Sequence, residues 1–342
     1  MKRRQKICAY RKKYPISFAK KIIKGIIFFV FSIAFLFSAT IGSANVNSDS
    51  EKGKEAEQKK GQEDKKEEKG KEKEDKKEEP PKIGNFTLPT SQQPGPLVSF
   101  GQNIIDKDQK QLFLFADDFS GIKKHTVDII PAILYGVTDN VSVFFNVPIA
   151  ASYKEGKSRS SGLEDIFLQL EYAFYTNKTS KLIDQATLVA NATFPTGSTK
   201  KQPPTGFGSS SFFLGGTFCR MYTDWFGFTS YGVVLTTPRD STKFGNEFLY
   251  QAGFGRNILY INSELIFAWM IEADGLYSEK NKIKGITDPN SGGNIVYVTP
   301  SLWISSKKII AQLGFGLPAT QHLFGNQKRN NYLLVANFGW TF

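Results

Sequence analysis

The residues best suited to catalysis or metal binding are the two histidines of the chain, His125 and His322. They lie about 200 residues apart, and neither stands in a His-x-Ser motif or a comparable signature of a nucleophile–base pair. A zinc site needs three or four clustered ligands, and the sequence offers none around either histidine. We therefore expect no catalytic residue, no metal ion and no cofactor, and we predict that the protein is not an enzyme.

Acidic residues within the predicted strands suggest a different chemistry. They share the more polar phase of their strands, which predicts that they line an interior: Asp128, Glu171, Glu247, Glu264, Glu272 and Asp274. An acidic interior favours cations and disfavours anions. The alternative is that these carboxylates pair with loop lysines such as Lys154 and Lys243 and merely fill space.

The strands that would carry these residues are clearest at the C-terminus. Residues 331–342 alternate between an apolar and a more polar face, and the period of two is that of a strand. Tyr332, Phe338, Trp340 and the final residue, Phe342, share the apolar face. An aromatic last residue on such a strand resembles the signal by which the barrel-assembly machinery recognises outer-membrane barrels.

The same alternation recurs from residue 109 to residue 342 in about twelve segments, which suit the roughly 9–11 residues needed to cross a bilayer at a tilt. A soluble β-sandwich also alternates, but its strands average only 5–6 residues. Short connections such as 136–140 and 223–224 take turns with longer ones such as 154–163 and 275–292. We therefore predict an all-β fold, an antiparallel transmembrane β-barrel of twelve strands with both termini in the periplasm.

The N-terminus explains the formal charge of +12. Ten basic residues precede residue 25, and an uncharged apolar run follows over residues 25–39. This pattern predicts a signal peptide over residues 1–44, although an uncleaved anchor remains an alternative because the basic region is long. With that segment removed the charge nearly balances, and nucleic acid is not an expected partner. Cys219 would then be the sole cysteine, with a free thiol.

Residues 45–108 form the next predicted unit, a periplasmic tether and linker. Residues 51–82 are almost entirely Lys, Glu, Asp, Gly and Gln, so they cannot bury enough surface to fold, and we predict disorder. A periplasmic partner that binds this tether is the alternative to simple solvation. The sequence leaves open whether residues 83–108, rich in proline, enter the lumen as a plug.

Several short motifs resemble a known family. They are Tyr135-Gly-Val-Thr-Asp-Asn140, Asn146-Val-Pro148, Gly162-Leu-Glu-Asp165, Phe194-Pro-Thr-Gly-Ser198 and Gly206-Phe-Gly208. In these motifs the chain resembles the putative outer-membrane transporters named after the MetA pathway of phenol degradation. The resemblance implies a barrel that takes up a small compound, for which an apolar one is a candidate. Glu164 stands where that family pattern would have a glycine, and the charged tether is additional.

These observations predict an outer-membrane channel for the passive uptake of small apolar or cationic molecules. Its partners would be outer-membrane lipid, the solute and the barrel-assembly machinery. The alternative is a surface-exposed barrel that acts as an adhesin or structural protein without transport.

Overall fold

The computed structural model of the protein describes residues 80–342. The predicted signal peptide and the predicted tether up to residue 79 lie outside the described residues. Within residues 80–342, no helix is long and apolar enough to span a membrane.

The described chain begins with two short 3-10 turns, Gly84–Phe86 and Thr90–Gln92, and continues as antiparallel strands. The strands, numbered in chain order, are β1 Lys110–Gly121, β2 Lys124–Thr138, β3 Val141–Asn146, β4 Ile149–Glu155, β5 Ser158–Leu163, β6 Ile166–Lys178, β7 Leu182–Phe194, β8 Ser211–Tyr222, β9 Trp225–Thr236, β10 Thr242–Lys243, β11 Glu247–Ile261, β12 Leu265–Ser278, β13 Lys282–Ile283, β14 Ile286–Thr287, β15 Gly293–Ser306, β16 Ile309–Leu323 and β17 Asn330–Thr341.

The strands close into one barrel, because β1 pairs with both β2 and β17. β10, β13 and β14 form a small separate sheet in the loops. β3 with β4 and β5 with β6 each make one divided wall strand, so the wall has twelve strands, as the sequence predicted. Closure gives every wall strand except β5 a partner on each side, so the barrel avoids the long unpaired sheet edges that a bilayer would not tolerate.

The two faces of the wall differ in polarity, and the difference is that of a membrane barrel. The outward face carries exposed large apolar side chains, as along β6, where Leu168, Leu170 and Tyr172 are exposed. Between them Gln169 and Glu171 are buried on the inward face. Because side chains alternate along a strand, the period-two pattern places apolar groups towards lipid and polar groups towards the lumen.

The connections differ between the two ends of the barrel. One end has turns of two or three residues, as at 139–140 and 307–308, and we call it the short-turn end. The other, the long-loop end, carries the connections 195–210 and 279–292. Lys110 and Phe342, the two ends of the wall, meet at the short-turn end, where the Lys110 N–H donates to the Phe342 carbonyl at 3.4 Å.

The two divided wall strands are a feature that the sequence did not predict. β3 pairs with β6, whereas β4 and β5 pair with each other, so residues 158–163 are strand where a loop was expected. Pro148 lies at the first break and suits it, because proline has no N–H for a ladder. β5 lacks a second strand neighbour, and residues 195–210 close this side through bonds such as Thr205 Oγ1 to the Leu163 carbonyl at 2.9 Å.

Candidate functional site: the filled lumen

The segment before the first wall strand lies inside the barrel, and we call residues 83–108 the plug. Near its start, the Asn85 N–H donates to the Thr223 carbonyl at 2.7 Å, at the short-turn end. At its end, the Asp108 N–H donates to the Gly136 carbonyl at 2.8 Å. Whether these linker residues enter the lumen was left open by the sequence. In the structure they lie there, because the wall supplies partners for their backbone polar groups.

The centre of the plug is held by Glu272 of β12. Its carboxylate accepts the backbone N–H groups of Leu97 at 2.8 Å, Val98 at 3.2 Å and Ser99 at 3.0 Å. The Ser99 hydroxyl donates to Asp274 at 2.7 Å. Glu272 is fully buried, so three successive peptide groups of the plug supply the hydrogen bonds that water would otherwise provide.

A second carboxylate holds the far side of the plug. Glu171 of β6 accepts the Asn103 N–H at 2.9 Å and the Asn103 Nδ2 at 2.6 Å. Between the two carboxylates, the Phe100 N–H donates to Gln251 Oε1 at 3.2 Å. The Ile105 N–H then donates to Ser142 Oγ at 3.2 Å. The plug therefore crosses the lumen from β12 to β3, and its backbone donors find acceptors on the wall.

Apolar contacts reinforce these hydrogen bonds. Phe86, Leu88 and Leu97 are buried in a cluster with wall residues that include Met270 and Trp303. Other plug side chains pack elsewhere on the wall: the ring centroids of Phe100 and Phe213 lie 4.6 Å apart, edge to face. The plug is thus packed on both its polar and its apolar sides.

Part of the lumen is not filled. A cavity of about 310 Å³ lies between the plug and the wall strands β1, β2, β3 and β17. Phe113, Phe115 and Phe144 line it as a cluster of rings, with the centroids of Phe113 and Phe144 5.7 Å apart. Asp117 also lines the cavity, and Asp128 stands directly opposite Asp117 in the register of β1 and β2.

The six predicted lumen residues fall in four kinds of place. Glu171, Glu272 and Asp274 contact the plug, and Asp128 belongs to the acid pair beside the cavity. Glu247 begins β11 at the long-loop end, where its carboxylate accepts the Ser278 hydroxyl at 3.1 Å.

Glu264 differs from the prediction. It lies in the turn between β11 and β12, mostly exposed, and its carboxylate pairs with Lys307 Nζ at 3.3 Å. The alternation gave Glu264 the same phase as Glu272, but β12 begins only at Leu265, so the side chain lies in the turn and not in the lumen.

The C-terminal aromatic residues lie where a lipid-facing strand would put them. Phe338, Trp340 and Phe342 are exposed on the outward face, and the rings of Trp340 and Phe342 are 5.9 Å apart. Tyr332 is partly buried against Phe315. Their role as an assembly signal remains a prediction.

The histidines and the cysteine occupy separate places. His125 Nε2 lies 2.8 Å from Asp118 Oδ1 near the long-loop end. His322 lies in β16 and not in a loop, and pairs in register with Asn294. Cys219 is a free, buried cysteine in the apolar cluster beneath the plug.

The sequence analysis did not identify Asp117 or the plug residues that bind the wall. Asp117 could have been found, because Phe113, Phe115 and Asp117 share one face of a predicted strand. The plug also carried a signal, namely the apolar pairs Leu97-Val98 and Ile104-Ile105 within a proline-rich linker.

Comparisons with known proteins support the fold. No protein-family model and no curated protein matches this sequence. Among solved structures, an outer-membrane channel from Pseudomonas putida F1 is 13% identical with a TM-score of 0.59, over 73% of this chain and 99% of that one. The NanC porin is 11% identical with a TM-score of 0.42, over 68% of this chain and 98% of that one. The chain thus has the fold of an outer-membrane β-barrel.

The prediction that the protein is not an enzyme, which rested on its two isolated histidines, was wrong as a conclusion from the sequence. Structures similar to this chain include LpxR from Salmonella typhimurium, at 9% identity and a TM-score of 0.37 over 68% of this chain and 100% of that one. Barrels among these neighbours include enzymes.

Proposed function

We propose that this protein is an outer-membrane channel that admits small molecules passively and that its plug gates the lumen. The observation that carries the proposal is that the plug fills the lumen and is held there by hydrogen bonds, which water could replace if the plug moved. Glu272 and Glu171 bind backbone N–H groups of the plug, so displacement of residues 97–105 would free a polar path behind an apolar outer surface. Twelve strands enclose more space than the eight whose interior side chains fill completely.

The orientation follows from the connections. We place the short-turn end in the periplasm and the long-loop end outside the cell, because outer-membrane barrels have short periplasmic turns. Both termini are then periplasmic. Residues 1–44 would be the cleaved signal peptide, and residues 45–82 a tether that leads into the plug from the periplasm, where a partner could bind it.

Two resemblances favour transport over the alternative of a surface adhesin or structural barrel. The sequence motifs resemble the phenol-degradation family of putative transporters. The Pseudomonas putida F1 structure with the same fold is an outer-membrane channel. Membership of that family and the chemical class of the solute belong to the proposal.

Single-channel recording in planar lipid bilayers tests the proposal. The full-length protein is compared with a variant that carries Glu171→Ala and Glu272→Ala, which removes both carboxylates that hold the plug. We expect small currents from the wild-type protein and severalfold larger currents from the variant. Glu264→Gln is the matched control, because this exposed glutamate pairs only with Lys307 and should leave the current unchanged.

A folded barrel is verified in each case by its slower gel migration before heating. If the double variant is folded and remains as silent as the wild-type protein, the lumen is not a solute path. The alternative role, binding at the external loops without transport, would then be favoured.

A further inference from the structure

The cavity beside the plug combines an aromatic wall with an unusual charge arrangement. Asp117 and Asp128 stand directly opposite each other on β1 and β2, so both side chains point to the same, inward face. Like charges in this arrangement, with Cβ atoms about 5 Å apart, destabilise a sheet. The barrel keeps both carboxylates nevertheless, and Asp117 lines an internal cavity of about 310 Å³.

Within residues 80–342, no hydrogen bond and no ion pair compensates this pair. Asp117 Oδ1 and Asp128 Oδ1 are buried and lack a hydrogen-bond partner in that part of the chain, and neither residue forms an ion pair there. Glu164 is a third carboxyl group close enough to interact with both. Lys124 lies on the same strand face as Asp128, but its Nζ lies over the rings of Phe119, 5.3 Å from the centroid, and Tyr153, 5.9 Å away.

A second, independent observation indicates that the cavity is built for a ligand. Asn146 lines the cavity and is only 2% exposed, yet its Nδ2 has no hydrogen-bond partner within residues 80–342. A buried amide donor without a partner is costly, so such groups usually have a function or meet a bound molecule. Asn146 lies four residues along the sheet from the acid pair, which is about 13 Å.

The rings next to these polar groups define what would fit. Phe113, Phe115 and Phe144 form a contiguous cluster, with centroid distances of 5.5 Å, 5.7 Å and 6.1 Å. Aromatic faces attract organic cations as well as apolar groups. A neutral apolar solute would leave the two carboxylates uncompensated, and an anion would be repelled by them.

We propose that this cavity binds a small organic cation with an apolar body, its ammonium group between Asp117 and Asp128 and its body against the phenylalanine rings. The proposal rests on the proposed channel function, for which it names the solute class. The acid pair then acts as a selectivity element on the solute path above the plug.

Isothermal titration calorimetry on the purified full-length protein tests this site with three probes of similar shape. They are 2-phenylethylamine, which is cationic at neutral pH, the neutral 2-phenylethanol and the anionic 3-phenylpropionate. We expect the amine to bind about tenfold or more tightly than the alcohol, because hydrogen bonds to charged groups are stronger than neutral ones, and the anion to bind most weakly.

Two variants test whether the preference for the amine arises at Asp117 and Asp128. Asp117→Asn with Asp128→Asn should abolish the difference between amine and alcohol, while leaving the shape of the cavity unchanged. Asp118→Asn is the matched control, since it removes the adjacent carboxylate, which pairs with His125 on the opposite face of β1. It should retain the preference for the amine.

Equal binding of amine and alcohol by the wild-type protein would overturn the proposal. A preference that survives in the double variant would overturn the assignment to this acid pair. Conductance of the variant with Glu171→Ala and Glu272→Ala, which releases the plug, separates the two proposals. If the variant conducts but the protein shows no preference for the amine, only the cation site is overturned. If the variant is silent but the protein prefers the amine, only the channel function is overturned.

Discussion

The carboxylates of the lumen form two groups that differ in what they contact. Glu171 and Glu272 are fully buried, and each accepts several hydrogen bonds from the plug. Asp117 and Asp128 face each other with buried oxygens that have no partner within the described residues. Both groups lie on the inward face of the same wall, so the strand pattern alone does not distinguish them.

Burial of acidic side chains thus serves two purposes in this barrel. The plug-binding carboxylates are satisfied by peptide N–H groups, and their removal should loosen the plug. The opposed aspartates are unsatisfied, and removal of either should relieve repulsion. Substitutions in the two groups should therefore change stability in opposite directions, although the residues are chemically similar. The following predictions test that contrast.

The largest effect is expected for Glu272→Ala. Three backbone donors of the plug lose their acceptor, and each buried donor left unpaired costs about 1–3 kcal/mol. At a net cost of about 3 kcal/mol, the open population of the plug rises roughly 100-fold. The measurement is the rate at which a maleimide reagent labels Val98→Cys in a background without the native cysteines. A rate equal to that of the parent would show that Glu272 does not hold the plug.

An intermediate effect is expected for Gly101→Ala. Gly101 has φ +86°, and a Cβ there would lie 2.5 Å from Thr217 Oγ1. The left-handed conformation costs an alanine about 1–2 kcal/mol. Labelling of Val98→Cys should therefore accelerate about tenfold. Gly95→Ala is the control, since a Cβ at Gly95 meets nothing within 4 Å. Equal acceleration by both substitutions would contradict the role assigned to Gly101.

The smallest effect, of opposite sign, is expected for Asp117→Asn. Relief of repulsion from Asp128 should stabilise the barrel by about 0.5 kcal/mol, which raises the guanidinium midpoint of unfolding slightly. The denaturation curve is compared with that of Asp118→Asn, whose carboxylate has His125 as a partner. A lower midpoint for Asp117→Asn than for the wild-type protein would mean that the pair is not repulsive.

The wall was predictable because its signal is local. Each strand shows which side chains face lipid within about ten residues, as Leu168, Leu170 and Tyr172 do in β6. Strand ends were less predictable, since alternation gives the face of a side chain but not where the ladder stops. Glu264 was therefore placed in the lumen, although it lies in a turn.

The plug was not predictable from such periodicity. The bond between Leu97 and Glu272 joins residues 175 positions apart, and that between Asn103 and Glu171 joins residues 68 apart. Both use backbone donors on the plug, which every residue except proline has. Sequence composition therefore indicated a linker, and only the closure of the barrel shows which acceptors those donors meet.

The use of peptide groups by the plug has a consequence for how this protein can evolve. Because Glu272 binds the N–H groups of residues 97–99, most side-chain changes at Val98 leave the attachment intact, whereas proline there would remove a donor. The side chain at Val98 can thus change while the acceptor on the wall, Glu272, stays fixed. Because the attachment uses backbone N–H groups, a different peptide could be grafted into the lumen, provided that it presents its N–H groups along the same path.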